Sequence, residues 1–270
     1  MRSLRTLAAA GAVAAGIGIA LAAPAHAAGT SQVSVLHGVP GITVDVYANG
    51  DKLLTNFKPG TLTDPVALPE GTYDLKVFAA GKGPGGTPAI EADGVKVPSG
   101  ANITVVAHLD ADGKPILTPY VNDTSTLKAG QARLTVRHDA AAPAVDVRAG
   151  GKPVFTNLTN PNEKKADLPA GTVNADVVLA GTSTVAIGPA DVTLKEGTNT
   201  IVYAWGSAQD KNLKLAVQTI AGLHGNPGGV PSGTGGLVDD ALPLPLVALT
   251  VLAAGGALMA GRRVAVTRRR

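Results

Sequence analysis

From Ser31 onward the chain alternates apolar and polar residues in short runs. The runs are broken by turn residues roughly every 8–12 positions, a spacing typical of short strands in a sandwich. A period of two places alternate side chains on opposite faces of a strand. Val44, Val46 and Ala48 thus share one face, and Thr43, Asp45 and Tyr47 the other. Tyr73, Leu75, Val77 and Ala79 alternate in the same way with Thr72, Asp74, Lys76 and Phe78. The pattern predicts strands over 32–37, 43–48, 51–56, 72–79, 91–97, 102–109 and 115–121. Asn49-Gly50 between two of them predicts a two-residue type I′ hairpin, because both residues tolerate positive φ. Leu68-Pro69-Glu70-Gly71 and Val97-Pro98-Ser99-Gly100 read as type I turns with Pro at the second position. The stretches 57–67 and 82–89 read as loops. A helical period has almost no support outside the two ends of the chain.

The pattern then repeats. Leu36 to Phe57 reads LHGVPGITVDVYANGDKLLTNF, and Arg137 to Leu158 reads RHDAAAPAVDVRAGGKPVFTNL. His37 aligns with His138, Asp45 with Asp146, and Thr55-Asn56 with Thr156-Asn157. Gly150-Gly151 stands where Asn49-Gly50 does, Leu168-Pro169-Ala170-Gly171 where the first Pro turn does, and Gly197-Thr198-Asn199 where Gly100-Ala101-Asn102 does. The fold class expected is all-β: two tandem immunoglobulin-like or transthyretin-like β-sandwich domains, at 31–121 and 131–220. Residues 122–130 form the linker between them. Each repeat is long enough to bury a core of its own, so 28–124 and 129–223 are expected to fold separately.

The two ends read as membrane signals. Arg2 and Arg5, an apolar run from Leu7 to Ala23 and the small-x-small triplet Ala25-His26-Ala27 predict a signal peptide over 1–27. A stalk rich in Gly and Pro is expected over 221–241. From Leu242 to Gly261 the chain carries no charged residue, a length of about 20 residues that suits a hydrocarbon core ~30 Å thick. The predicted transmembrane helix spans 242–261. The basic tail 262–270, with Arg262, Arg263, Arg268, Arg269 and Arg270, is placed in the cytoplasm by the positive-inside rule. The expected location is the cell membrane, crossed once, with the repeats extracytoplasmic.

Charge and composition narrow the chemistry. The whole chain carries a formal charge of +3, but seven of its 23 basic residues lie in the leader and the tail. The remaining 16 face all 20 acidic residues, a net charge of −4. That leaves no basic stripe for nucleic acid. There is no Cys, which excludes disulfides and thiolate chemistry.

The H-x-x-P…V-D-V-Y-x-x-G pattern at His37, Pro40, Val44 to Tyr47 and Gly50, with L-P-x-G-T-Y at Leu68 to Tyr73, resembles the domain-of-unknown-function 4397 family of exported bacterial proteins. The resemblance extends over both repeats, about residues 31–220. The second copy departs from it: Arg148 stands for Tyr47, Val173 for Tyr73, and Pro143 lies two residues later than Pro40. The resemblance implies an extracytoplasmic β-sandwich. It implies no activity and no catalytic residue.

His37, Asp45, His138 and Asp146 are the residues most open to chemistry. A triad would need a nucleophile beside them, and no G-x-S-x-G elbow occurs. A metal would need more ligands than one His and one Asp. The expected role is structural: each ring bonds a loop, or the Asp behind it, and pins the first hairpin. Asp110-Ala111-Asp112-Gly113 lacks the later ligands of a calcium loop and reads as a hairpin turn. Gly81 to Gly86 has no helix after it and reads as a loop, without a phosphate site. Val230 to Gly235 resembles a sortase signal with one residue too many. Tyr47, on an outward parity, is the candidate surface contact. No cofactor and no catalytic, cofactor-binding or metal-binding residue is expected. The function expected is that of a membrane-anchored cell-surface protein with non-catalytic modules for binding, adhesion or envelope organisation. Its partners would be the membrane and an envelope protein or polysaccharide. A receptor-like binder of a small ligand or glycan is the alternative, and a hydrolytic or metal-dependent enzyme using the His-Asp pairs comes third.

Overall fold

The computed structural model describes residues 29–225, which fall in one compact unit. The leader 1–27, the span 242–261, the tail 262–270 and the sortase-like 230–235 lie outside the described residues.

The first half contains β1 (Thr30–His37), β2 (Val44–Ala48), β3 (Asp51–Phe57), β4 (Val66–Pro69), β5 (Gly71–Ala79), β6 (Ile90–Val97), β7 (Asn102–Leu109) and β8 (Pro115–Val121). The second contains β9 (Gln131–Ala141), β10 (Val145–Ala149), β11 (Lys152–Leu158), β12 (Glu163–Pro169), β13 (Gly171–Leu179), β14 (Val185–Leu194), β15 (Asn199–Ser207) and β16 (Lys214–Ile220). Each half is a sandwich-like pair of four-stranded sheets, ordered β4-β1-β7-β8 over β3-β2-β5-β6 and β12-β9-β15-β16 over β11-β10-β13-β14. All pairings are antiparallel except β1 with β7 and β9 with β15.

The expected turn chemistry explains the hairpins. Asn49 and Gly50 have φ of 52° and 89°, and Gly150 and Gly151 have 57° and 76°. The L-P-x-G stretch behaves differently from the expected tight turn. Leu68 and Pro69 end β4 and Gly71 opens β5, so the chain crosses there from one sheet to the other. Pro69 and Pro169 thereby sit on edge strands, where a missing N–H costs least. The Tyr73 hydroxyl donates to the Pro69 carbonyl at 2.9 Å and ties this crossing. The stretch expected as a loop at 57–67 contains the start of β4. The rest of it runs along β1, with the Thr63 N–H on the Val35 carbonyl and the His37 N–H on the Thr61 carbonyl.

Each half has its own apolar core. Val35, Val44, Val46, Phe57 and Val77 pack in the first, Leu134, Val136, Val145, Phe155 and Leu158 in the second. A further cluster belongs to neither alone: Leu36, Val106 and Tyr120 pack against Ile201 and Tyr203. The sheets containing β1 and β9 stand back to back, so the central strands β1, β7, β9 and β15 are buried on both faces. The stretch expected as a linker shares in this contact. Asn122 and Leu127 are buried, and Leu127 donates its N–H to the Leu223 carbonyl. Leu223, within the stretch expected as stalk, is buried, with its N–H on the Gly197 carbonyl of the second half.

Candidate functional site

The paired His and Asp residues do not meet. His37 lies on the core side of β1, where its Nε2 is 2.8 Å from the Ile42 carbonyl and its ring stacks on Phe57. Burial pushes its pKa down, against the pull of that carbonyl. His138 repeats the contact, with Nε2 3.0 Å from the Pro143 carbonyl. Both rings bond the loop, as expected, and neither bonds its Asp. Asp45 and Asp146 serve another turn. Asp45 accepts from the Asn56 N–H at 2.9 Å and the Gly81 N–H at 3.2 Å, and Asp146 from Asn157 at 2.7 Å and Gly181 at 3.0 Å. Asn56 and Asn157 adopt φ of 52° and 50° at these points. Asn tolerates that left-handed conformation better than most residues, which accounts for the repeated T-N pair. The amide bonds hold both carboxyls below the ordinary range, the Asn56 and Asn157 N–H groups being the largest cause.

Tyr47 lies on the outer face of its sheet, as its parity requires, but it is not an open contact. It is only 6% exposed. Phe78 packs edge-on against it at 5.4 Å, and the Lys52 ammonium lies 5.5 Å from its ring centre. The glycine-rich loop 81–86 covers it, with Gly83 beside the hydroxyl. Covering aromatic carbon this way is the ordinary hydrophobic preference. What remains open is a groove of about 600 Å³ floored by Tyr47 and Phe78, with Asn49, Asp74, Lys76 and Pro84 at its rim. By contrast the spaces inside the two sandwiches measure about 30 and 60 Å³, far below the ~300 Å³ at which ligand pockets begin.

The largest polar constellation was not legible as a site. It lies between the two halves and centres on Arg137, which is 1% exposed. Its guanidinium donates to Glu163 Oε2 at 2.8 Å, to the Tyr203 hydroxyl at 2.8 Å and to Asn122 Oδ1 at 2.9 Å. The Tyr120 ring centre lies 4.2 Å from it. The Tyr120 hydroxyl in turn is 2.6 Å from Asp139 Oδ1 and 2.9 Å from the Pro161 carbonyl. His108 Nε2 bonds Thr118 Oγ1 at 2.8 Å and stands 3.8 Å from Asp139. Thr104 donates to Gln218 Oε1 at 2.9 Å across the interface. Burial pushes Asp139 up, with His108, Tyr120 and Arg137 pulling the other way. Burial also pushes the Tyr120 hydroxyl far up, helped by the Asp139 charge. At the rim Arg133 bridges Asp123 and Asp167. Burial raises Asp123, but bonds from Lys165 and Ser125 and the Arg133 charge outweigh it and hold the carboxyl well down. The cluster's bonds run both within each sheet and across to the other, and among the described residues Asp139 Oδ2 is left without a partner. The arrangement can hold two sheets in register. It offers no opening for a substrate to reach Asp139 or His108, both fully buried. No group of His, Cys, Asp and Glu among the described residues has the spacing of a metal site.

The fold is therefore a back-to-back pair of β-sandwiches with hairpin clamps at equivalent places. A family model described as Domain of unknown function (DUF4397) matches residues 31–148. The match runs through the first half and on to β10 of the second. No curated protein matches the chain. Among solved structures, the Bacillus anthracis TIE protein is similar at 14% identity and a TM-score of 0.20, over 65% of this chain and 33% of that one. The chain thus spans a third of the length of that protein.

Proposed function

We propose that the chain is a membrane-anchored cell-surface protein whose two immunoglobulin-like or transthyretin-like sandwiches act in binding, adhesion or envelope organisation, without catalysis. In this reading both halves are copies of the DUF4397 domain, the leader 1–27 exports them, and the span 242–261 retains them on the outer side. The observation that carries it is the use made of the polar residues. His37, His138, Asp45 and Asp146 hold loops, and the Arg137 cluster holds the two halves together. A rigid pair with its outer sheets and end loops displayed suits presentation better than turnover. Protease added to intact, wall-stripped cells should remove the sandwiches and leave a short C-terminal fragment. Complete protection of the sandwiches would refute the topology.

The groove above Tyr47 and Phe78 supports the second reading, a receptor-like binder of a small ligand or glycan. It has an apolar floor and a few polar groups at its rim, the usual make-up of a small-molecule site. Envelope oligosaccharides titrated into the full chain should bind saturably, and Lys76→Glu at the rim should abolish the binding. Unchanged binding in that variant would remove the groove from consideration.

A further inference from the structure

Edge strands present unpaired N–H and C=O groups, and proteins blunt them with proline, charge or cover. Most edges here are blunted in this way. β4 and β12 end in Pro69 and Pro169, β12 also carries Lys164 and Lys165, and β14 carries Gly188-Pro189. β8 carries Pro115 and Pro119. Its equivalent in the second half is β16, KLAVQTI, which has no proline and one charge, at its first residue. The ladders fix the equivalence: Pro119 lies opposite Val105 and Val217 opposite Val202, two positions that correspond in the repeat. Val217 therefore stands where the first copy has an edge-blocking proline. It is 57% exposed, and Leu215 on the same face is 40% exposed.

We infer that β16 is a pairing edge and that its partner is β16 of a second copy of this chain. The strand is self-complementary when two copies run antiparallel about Val217. Val217 then faces Val217, Leu215 faces Thr219, Ala216 faces Gln218 and Lys214 faces Ile220. An apolar stripe continues across the junction, and no charge meets a like charge, the usual penalty in cross-strand pairs. Alternate residues of β16 turn their backbone groups away from β15, and the second copy satisfies them. The two four-stranded sheets join into one eight-stranded sheet through an isologous interface, so the assembly closes at two. A strand pair of this length buries less than the ~1,200 Å² of a stable standard interface. The association is therefore transient, and cross-linking is the measurement that captures it.

The chain has no cysteine, so Val217→Cys supplies the sole thiol. Directly opposed Cβ atoms in such a pair lie ~4.5–5.5 Å apart, near the ~3.5–4.5 Å of a disulfide. In cells bearing the full chain, mild oxidation should convert Val217→Cys monomer into a band of doubled mass that reductant reverses. Val121→Cys, 61% exposed on the proline-bearing β8, should stay monomeric. Adding Leu215→Lys and Thr219→Lys to Val217→Cys should abolish the doubled band. Co-expression with a Val217→Cys chain carrying Leu215→Glu and Thr219→Glu should restore it. Equal cross-linking at 121 and 217, no cross-linking at 217, or capture of a different protein in place of a second copy overturns the proposal.

Discussion

Removing the Arg137 guanidinium tests whether the two sandwiches are one folding unit. Arg137→Ala deletes three bonds of 2.8–2.9 Å, to Glu163, Tyr203 and Asn122, and the stacking on Tyr120 at 4.2 Å. Asn122 and Tyr203 are buried, so their freed oxygens find no water in exchange. Glu163 is half-buried and can turn to water, but each buried acceptor left unpaired costs about 1–3 kcal/mol, and with the lost ion pair and stacking the total is about 3–5 kcal/mol. That is a large share of the ~5–15 kcal/mol that stabilises most domains. For a unit of this size each kcal/mol moves the melting temperature by ~2–4 °C, so the fall should be about 6–20 °C. Arg137→Met should lose less, since its stem refills part of the space and leaves no cavity of alanine size. The assay is built into the chain. Trp205 is the single tryptophan, and it packs in the interface beside Gly38 and Gly60 of the first half. In urea its fluorescence reports the interface while far-ultraviolet circular dichroism reports the strands. The two transitions should coincide in the wild type and shift together in Arg137→Ala. A loss below ~1 kcal/mol, the worth of a surface ion pair, would refute the reasoning. So would an early Trp205 transition that leaves the strand signal intact. The same interface leads us to expect that 28–124 and 129–223 made separately will not melt cooperatively, because Leu36, Val106, Ile201 and Tyr203 would be laid open.

Asp139→Asn should stabilise the protein at neutral pH. Burial raises the folded-state pKa of Asp139 above its ordinary 3.8, so its stabilising contribution is complete below that value and is lost as pH rises through the folded value; urea midpoints at pH 7 and pH 3 should show a gain that vanishes in acid, and a loss at neutral pH would contradict this. His37→Ala should cost about 1–3 kcal/mol, the penalty for leaving the Ile42 carbonyl without its partner, and zinc or calcium should not move the melting temperature of the wild type, since a bound ligand would raise it by mass action. Gly38→Ala would put a Cβ 3.1 Å from the Ala107 carbonyl oxygen and 3.1 Å from the Trp205 Cβ, so it should cost about 1–3 kcal/mol as overpacking does and shift the Trp205 emission; an unchanged spectrum and midpoint would show that the contact is slack.

The strands, the type I′ hairpins and the duplication were legible because they rest on local chemistry. Alternation fixes faces, and Asn-Gly or Gly-Gly fixes a tight turn. The role of Asp45 was half legible: a structural Asp at a fixed spacing was visible, but its partners are Asn56 near the end of β3 and Gly81 in the turn after β5. Tyr47 shows the limit of parity. Alternation places a side chain on a face and is silent about a loop that folds over that face. The interface was missed for a related reason. A strand buried on one side alternates, whereas a strand buried on both sides reads as a near-continuous run. β7, NITVVAHL, and the Ile201 to Trp205 run of β15 are such stretches. Read that way, Arg137 and Asp139 flanking His138 on β9 mark a polar row on a buried outer face, and the sheet containing them needs a cover.

The cover is the other copy, and the two copies meet through unlike surfaces. At equivalent places the first half presents Ser34, Leu36, Gly38, Thr104, Val106 and His108, and the second Thr135, Arg137, Asp139, Ile201, Tyr203 and Trp205. The second set is the larger and more polar, and its long side chains reach across to the first: Arg137 to Asn122, Gln218 to Thr104, Trp205 over Gly38 and Gly60. Because the rows lie at equivalent places, the halves meet in the manner of an isologous pair, which closes at two. Divergence of the rows then makes the two sides complementary instead of alike. With Gly38 in place of Asp139 and Leu36 in place of Arg137, the first half cannot supply the second half's role. The pair therefore closes at one interface, and the contact we infer for a further copy lies elsewhere, at the β16 edge.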